Sequence, residues 1–218
     1  MNLTYNGHSS FLFEFSDGTR ILTDPCVPRV GYELHEIECE AVTISHGHQD
    51  HNYFEAASGQ PQMIGTAGLH KIGKIEINGV KSWHDENMGK LRGDNIMFCI
   101  NGDGLKFVHL GDLGHMPSHE VVSQLFDADV LLMPVGGVFT IDAQQGLDVM
   151  KLIQPKLVIP MHFQTDQLKL SKPIDPLDKF LKLAEERGME WNHAGATIEI
   201  RKDSPPKGPI LVMDYACC

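Results

Sequence analysis

The stretch Ala41-Val42-Thr43-Ile44-Ser45-His46-Gly47-His48-Gln49-Asp50-His51 sets an apolar, β-branched segment against four metal-competent side chains within six residues. β-Branched residues suit a pleated, buried surface, so residues 41–45 are predicted to form a strand that delivers His46 at its end. Imidazole binds zinc through a neutral ring nitrogen, and a carboxylate oxygen suits zinc, manganese or iron. Gly47 permits a sharp backbone turn, so that His46 and His48 face one point while Asp50 and His51 face a neighbouring one. So tight a run cannot wrap a single tetrahedral ion without strain. Dividing its side chains between two ions is the natural solution.

Upstream, residues 2–15 read as two short strands around Asn6-Gly7-His8-Ser9, with Phe11, Phe13 and Phe15 alternating in the second. Ser16-Asp17-Gly18-Thr19 reads as a turn, Arg20 to Thr23 as a strand closing at Asp24-Pro25, and residues 26–40 as irregular. Downstream, strands are predicted over 80–83, 96–100 and 105–110, then a helix over 121–126 with Ser118 as its cap. The second half alternates: strand 130–135, helix 143–153, strand 157–160, and a helix over 176–187 ended by Gly188. Leu177, Phe180, Leu181 and Ala184 recur at i, i+3, i+4 and i+7, giving that last helix one buried stripe. Trp191 and residues 198–200 follow, then a polar, Pro-rich link at 203–209 and a final strand at 210–213. Hairpins first and βα units later imply mixed α/β layering around a sheet core, and residues 1–218 are expected to form one domain.

Composition narrows the function. The 218 residues carry 18 Lys and Arg against 29 Asp and Glu, a formal charge of −11 that repels a polyanion and argues against nucleic-acid binding. No apolar run approaches the roughly 18 residues of a membrane helix, so no membrane partner is expected. Met1-Asn2-Leu3-Thr4-Tyr5-Asn6 lacks the basic start and apolar core of an export signal. A cytoplasmic setting is therefore expected, and the odd count of five cysteines fits a reducing compartment. Cys99 reads as a small core residue and Cys217-Cys218 as a frayed tail. The unusual count is histidine, at 12.

The pattern His46-x-His48-x-Asp50-His51 after a strand resembles the signature of the metallo-β-lactamase superfamily, and the resemblance extends over essentially the whole chain. Asp24, in Ile21-Leu22-Thr23-Asp24-Pro25, matches the acidic residue that the family places before this motif. His84 in Ser82-Trp83-His84, Asp112 in His109-Leu110-Gly111-Asp112 and His162 in Val158-Ile159-Pro160-Met161-His162-Phe163 match its three downstream ligands. Together with Leu132-Met133-Pro134-Val135-Gly136-Gly137-Val138-Phe139-Thr140, these segments look closest to the small single-domain metal-dependent hydrolases similar to ascorbate-6-phosphate lactonase. The resemblance implies a four-layer αββα sandwich with the metals at one rim of two sheets. It further implies that His46, His48 and His84 hold one divalent ion, that Asp50, His51 and His162 hold a second, and that Asp112 bridges both. Zinc is the expected metal, with manganese or iron acceptable to the same ligands.

Two such ions lower the pKa of a shared water towards neutrality, so the expected activity is hydrolysis of a small ester, lactone or phosphodiester by a bridging hydroxide. Two 2+ ions less Asp50, Asp112 and one hydroxide leave about +1 in the pocket, which favours a small anionic substrate over a polymer. Asp50 is expected to orient the nucleophile as well as to bind metal. His8, in Gly7-His8-Ser9-Ser10, is the second catalytic candidate, as donor of a proton or hydrogen bond to substrate; a plain turn residue is the alternative. His109 reads as a supporting or core residue, while His115 and His119 face either pocket or solvent. Gly136-Gly137 reads as a turn rather than a phosphate cradle. The competing functions are a nuclease of the same superfamily, a di-iron redox protein and a non-catalytic metal sensor. The charge opposes the first, and His48, where the redox branch usually carries a carboxylate, opposes the second.

Overall fold

Period-two alternation along short strands builds two stacked sheets. The structure, a computed structural model, describes residues 1–204 and 208–216. One sheet has six strands in the spatial order Thr197–Glu199, Asn2–Gly7, Ser10–Glu14, Arg20–Thr23, Ala41–Thr43, Gln62–Ile64. The other has eight, in the order Trp191–Ala194, Ile210–Met213, Leu157–Met161, Val130–Pro134, Leu105–His109, Asp94–Gly102, Ile75–Trp83, Gly68–Ile72. Ile21 and Ala41 point into the core between the sheets, while their chain neighbours Leu22 and Val42 turn outward and pack with Cys39, Phe54 and Ala57. Across the core, Phe13 of the first sheet meets Phe107 of the second edge to face, with ring centroids 5.2 Å apart. The alternation of Phe11, Phe13 and Phe15 thus marks the face of the second strand that holds the sheets together.

Three helices follow in the second half: α1 (His119–Leu125), α2 (Ala143–Ile153) and α3 (Leu177–Glu186). Ser118 caps α1 by accepting the Val121 N–H, and Gly188, at φ 73°, lies just beyond α3. In α2 the Asp142 carboxylate accepts the Gln145 N–H at 2.9 Å while Asp142 N–H donates to Gln145 Oε1 at 3.0 Å, satisfying two donors that a bare helix start would leave open. Phe180, Leu181 and Ala184 are the buried face of α3, as the spacing predicts. The expected layering is present, and its outer layer on the six-stranded sheet is thin. Among the described residues no α-helix covers that face; the ribbon Ile37–Glu38 with Ala57–Ser58 and the single turn Phe54–Ala56 fill it. No described helix is long and apolar enough to cross a membrane. The Cys217-Cys218 end and residues 205–207 of the 203–209 link lie outside the described residues.

Apart from Ile37–Glu38, a short strand within the stretch read as irregular, the strands absent from the sequence reading lie between residues 57 and 79. Gln62–Ile64 and Gly68–Ile72 are edge strands that leave Met63 and Leu69 exposed, so neither shows a clean alternation. Ile75–Trp83 extends further upstream than residue 80 and runs through Gly79, which a β-scale counts as a break. Glycine is needed there because a Cβ would lie 2.5 Å from the Thr66 carbonyl oxygen.

Candidate metal centre

Each candidate side chain sits just beyond a strand. Asp24 follows Arg20–Thr23, His46 follows Ala41–Thr43, His84 follows Ile75–Trp83, Asp112 follows Leu105–His109 and His162 follows Leu157–Met161. The carboxyl ends of these strands converge on one rim, where α/β folds habitually host their sites. Three residues of that rim are held in the left-handed backbone region: His8 at φ 56°, Asp24 at 39° and His162 at 50°. Such a conformation costs a non-glycine residue about 1–3 kcal/mol and persists only where its surroundings over-determine it. Here the His8 carbonyl accepts both the Tyr5 hydroxyl at 2.9 Å and the His162 N–H at 2.8 Å, tying two of the three together.

Asp112 is the centre of the cluster. Its Oδ2 lies 3.1 Å from His84 Nε2, 3.2 Å from His162 Nε2 and 3.9 Å from His46 Nε2, and its Oδ1 lies 3.2 Å from His51 Nε2. Donor atoms of His46, His48 and His84 fall within 4.8 Å of one another; so do those of His8, Asp50, His51 and His162, and those of His46, His51 and Asp112. The fold therefore brings the seven sequence-derived candidates to one place, in two groups joined through Asp112, and adds His8 to the second group.

Hydrogen bonds fix which nitrogens face inward. Asp24, fully buried, accepts the Ser45 N–H at 2.8 Å, the Ser45 hydroxyl at 2.5 Å and His51 Nδ1–H at 2.9 Å. Since the only hydroxyl proton of Ser45 goes to Asp24, Ser45 Oγ accepts from His46 Nδ1–H at 2.9 Å. Both imidazoles thus commit Nδ1 to an outer partner and turn Nε2 towards the cluster, the orientation that metal-binding histidines adopt. Asp24 matches the family position in sequence, and its place in the structure is behind the histidines, as their anchor.

The charges follow from packing. Burial, with His51 nearby, lowers His46 to about 3. Burial raises Asp112, yet His162 and His51 outweigh it and hold the carboxyl well below its usual range. Asp50 is likewise raised by burial and lowered further by His51 and by its bond to His8. His51 is the converse case: burial lowers it, but the Asp112 and Asp50 charges push it well above its usual value. Burial, followed by the proximity of His162, brings His8 down to about 4, so at neutral pH it is a neutral imidazole facing Asp50 Oδ2 at 3.2 Å.

His8 is 1% exposed and lies beneath Asp50, outside the lining of the cavity above the cluster. His109 and His115 spend both ring nitrogens on backbone: His109 accepts Gly111 N–H and donates to the Ser9 carbonyl, and His115 accepts Trp83 N–H and donates to the Met116 carbonyl. Gly136-Gly137 is a turn, with Gly137 N–H donating to the Ile141 carbonyl.

Sequence reasoning missed two supports. Ser45 is one, and Asn95 is the other. Asn95 is buried; its amide donates to Ser82 Oγ at 2.7 Å and to the Leu110 carbonyl at 2.9 Å, and its Oδ1 accepts Asp112 N–H at 2.9 Å. A lone Asn at the start of a strand carries no spacing signal, which is why it escaped notice. Asn95→Ala is expected to leave the fold intact and to weaken metal binding about 10- to 100-fold, the usual loss for a group that orients a ligand. Competition titration with a chromogenic chelator checks this, and unchanged affinity would remove Asn95 from the support.

Whether these residues fit a metal is answered by their own unmet needs. His46 Nε2, His51 Nε2 and Asp112 Oδ1 are buried and make no hydrogen bond. A buried polar atom without a partner costs roughly 1–3 kcal/mol. Two unpartnered imidazole nitrogens and a carboxylate oxygen, grouped within 4.8 Å, are the donor set that a divalent cation satisfies once it displaces any ring proton. Above them opens a cavity of about 560 Å³, with His48, Asp50, His84, Asp112 and His162 in its lining.

Known proteins show the same arrangement of chain. Residues 2–162 match the family described as the beta-lactamase superfamily domain. A UPF0173 metal-dependent hydrolase of Nanoarchaeum equitans is 31% identical over 216 residues, covering 87% of this chain and 94% of that protein. A crystal structure from Thermotoga maritima, assigned to the metallo-beta-lactamase superfamily, is 33% identical, covers 98% of both chains and superposes with a TM-score of 0.81. Igni18, a metallo hydrolase of Ignicoccus hospitalis, is 25% identical with a TM-score of 0.64 over 86% of this chain and 91% of that one. Sequence motif, strand-end geometry and these matches agree that the chain belongs to the metallo-β-lactamase superfamily, alongside the UPF0173 metal-dependent hydrolases.

Proposed function

We propose that this chain is a metal-dependent hydrolase that uses two divalent ions and water to cleave a small ester, lactone or phosphodiester. One observation carries the reading: two groups of ligand atoms, linked through the buried Asp112, meet the floor of an open cavity, with His48, Asp50, His84, Asp112 and His162 in its lining. His46, His48 and His84 would hold one ion and Asp50, His51 and His162 the other, with Asp112 shared between them. When bound, such a pair acidifies water and stabilises negative charge that develops on the substrate. Zinc suits this set of imidazoles and carboxylates best, with manganese and iron as alternatives.

The remaining work falls to the chain. Asp50 lines the cavity with its side chain 22% exposed, so its carboxylate can orient a water and take its proton. Neutral His8 donates Nε2–H to Asp50 from below and fixes the direction of that carboxylate; it is a positioning residue rather than a donor to substrate. A cavity of about 560 Å³ suits a small molecule, and the −11 charge of the chain disfavours a nucleic acid. The buried thiols of Cys39 and Cys99 are in keeping with a cytoplasmic setting.

Protein purified without chelator is expected to carry about two transition-metal ions per chain, by analogy with other two-metal hydrolases. Removing them with EDTA should abolish hydrolysis, and zinc or manganese should restore it. Elemental analysis showing no metal, together with no activity on adding either ion, would overturn the reading.

A further inference from the structure

The cavity walls carry a charge pattern that the metal chemistry does not use. Arg29, Arg92 and Lys169 all line the cavity, together with the apolar side chains of Val30, Phe139 and Leu170. Elsewhere on the surface some cations, such as Lys71, Lys156 and Lys179, are paired with Glu76, Asp129 and Asp175, and others stand singly among the described residues. Among the described residues, none of the three at the cavity has a carboxylate within ion-pair distance. What sets them apart is that they cluster, three cations without a carboxylate partner around one opening in a chain of net charge −11.

Their placement is also fixed rather than casual. The backbone of Arg92 is held by the buried Asp85, whose carboxylate accepts the N–H groups of Asn87, Gly89, Leu91 and Arg92 and so shapes the loop that follows His84. The Arg92 guanidinium donates to the Val138 carbonyl at 3.0 Å and sits over the Phe139 ring with Cζ 5.6 Å from its centroid. One guanidinium edge is thereby spent and the rest remains available. The other two cations belong to a single interlocked wall. Lys169 N–H donates to the Val30 carbonyl at 2.8 Å, Tyr32 hydrogen-bonds Thr165 at 2.5 Å, and Gly31, at φ 111°, fits so closely that a Cβ would lie 1.8 Å from the Gln167 carbonyl oxygen.

We propose that the substrate carries a permanent anionic group, a carboxylate or a phosphate monoester, at the end away from the bond that reacts. Arg29, Arg92 and Lys169 bind that group, and Val30, Phe139 and Leu170 pack against the short apolar spacer that joins it to the reacting centre. Guanidinium groups suit both anions because their fork of donors matches two oxygens at once. The proposal rests on the hydrolase reading for the bond cleaved; the anion site itself stands on the walls alone.

The test uses the metal-loaded full chain and an Arg29→Gln/Lys169→Gln variant, both exposed side chains, with circular dichroism and melting temperature confirming the fold. Two esters are compared: mono-(4-nitrophenyl) glutarate, which carries a distal carboxylate, and the neutral 4-nitrophenyl butyrate. The wild-type chain should prefer the glutarate ester in kcat/KM, and the variant should reduce that preference by roughly tenfold or more, the loss expected for charge-assisted contacts. In parallel, calorimetry measures binding of glutarate and propyl phosphate, with acetate as the control for direct binding to metal. Both larger anions should bind more tightly than acetate to wild type and lose that advantage in the variant, and the tighter of the two identifies the anion. If neither ester is cleaved but anion binding falls in the variant, the hydrolase reading fails for esters and the anion site stands. If the larger anions bind no better than acetate, or bind the variant as well as wild type, the proposal is overturned.

Discussion

Asp112→Ala is expected to lower hydrolysis by about three orders of magnitude while the secondary structure persists, the scale of losing several kcal/mol of transition-state stabilisation. Asp112 is the carboxylate that lies against both groups of ligand atoms. Its two oxygens approach Nε2 of His46, His51, His84 and His162 within 3.1–3.9 Å. Alanine removes the one carboxylate that approaches all four of those imidazoles and severs the link it makes between the groups. The expected metal content falls to one ion or fewer per chain by elemental analysis, with circular dichroism unchanged. A variant that keeps two ions or appreciable turnover would show that Asp112 is not the shared ligand.

Asp24→Ala should produce the second-largest effect, in stability first and in activity through it. Asp24 is fully buried and accepts three hydrogen bonds, from Ser45 N–H, the Ser45 hydroxyl and His51 Nδ1–H. Removing one partner of a buried charged network costs about 3–5 kcal/mol. In a domain of this size that corresponds to a melting temperature on the order of 10 °C lower. Two imidazoles lose their orientation at the same time, because the Ser45 hydroxyl that holds His46 is itself held by Asp24. Metal affinity should therefore drop about 10- to 100-fold in the folded fraction. Should the alanine variant fail to fold, Asp24→Asn keeps the volume and one acceptor and should show a smaller loss of both. A melting temperature and metal affinity equal to wild type in the asparagine variant would contradict the anchoring role.

The cluster was legible in the sequence because its spacing is short and its residue types are chemically restrictive: His46, His48, Asp50 and His51 announce themselves within six residues. His84, Asp112 and His162 were legible for a different reason. Each ends an apolar strand in a pattern similar to a known family, and the structure brings all three to Asp112 or its neighbours. The α2 helix and the strand after it matched their predicted bounds closely, since periodicity, capping and burial agree there. The edge strands between 57 and 79 were illegible because sheet pairing, rather than local pattern, creates them. Ser45, Asn95 and Asp85 were illegible for a related reason. Their value lies in which backbone and side-chain groups the fold places against them, and single polar residues leave no periodic trace. The cavity walls join Arg29, Arg92 and Lys169 from three distant parts of the chain, and no linear reading assembles them.

The match to the beta-lactamase superfamily domain ends at residue 162, the last of the metal-facing histidines. The segment that seats Lys169 and clasps Gly31 begins only three residues later, at Thr165. Part of the cavity wall, Lys169, Leu170 and Ser171, therefore lies beyond the matched stretch, while Arg29 and Arg92 lie within it. Changes confined to residues 165–171 are expected to reshape one side of the opening and to leave every residue of the metal-facing cluster in place.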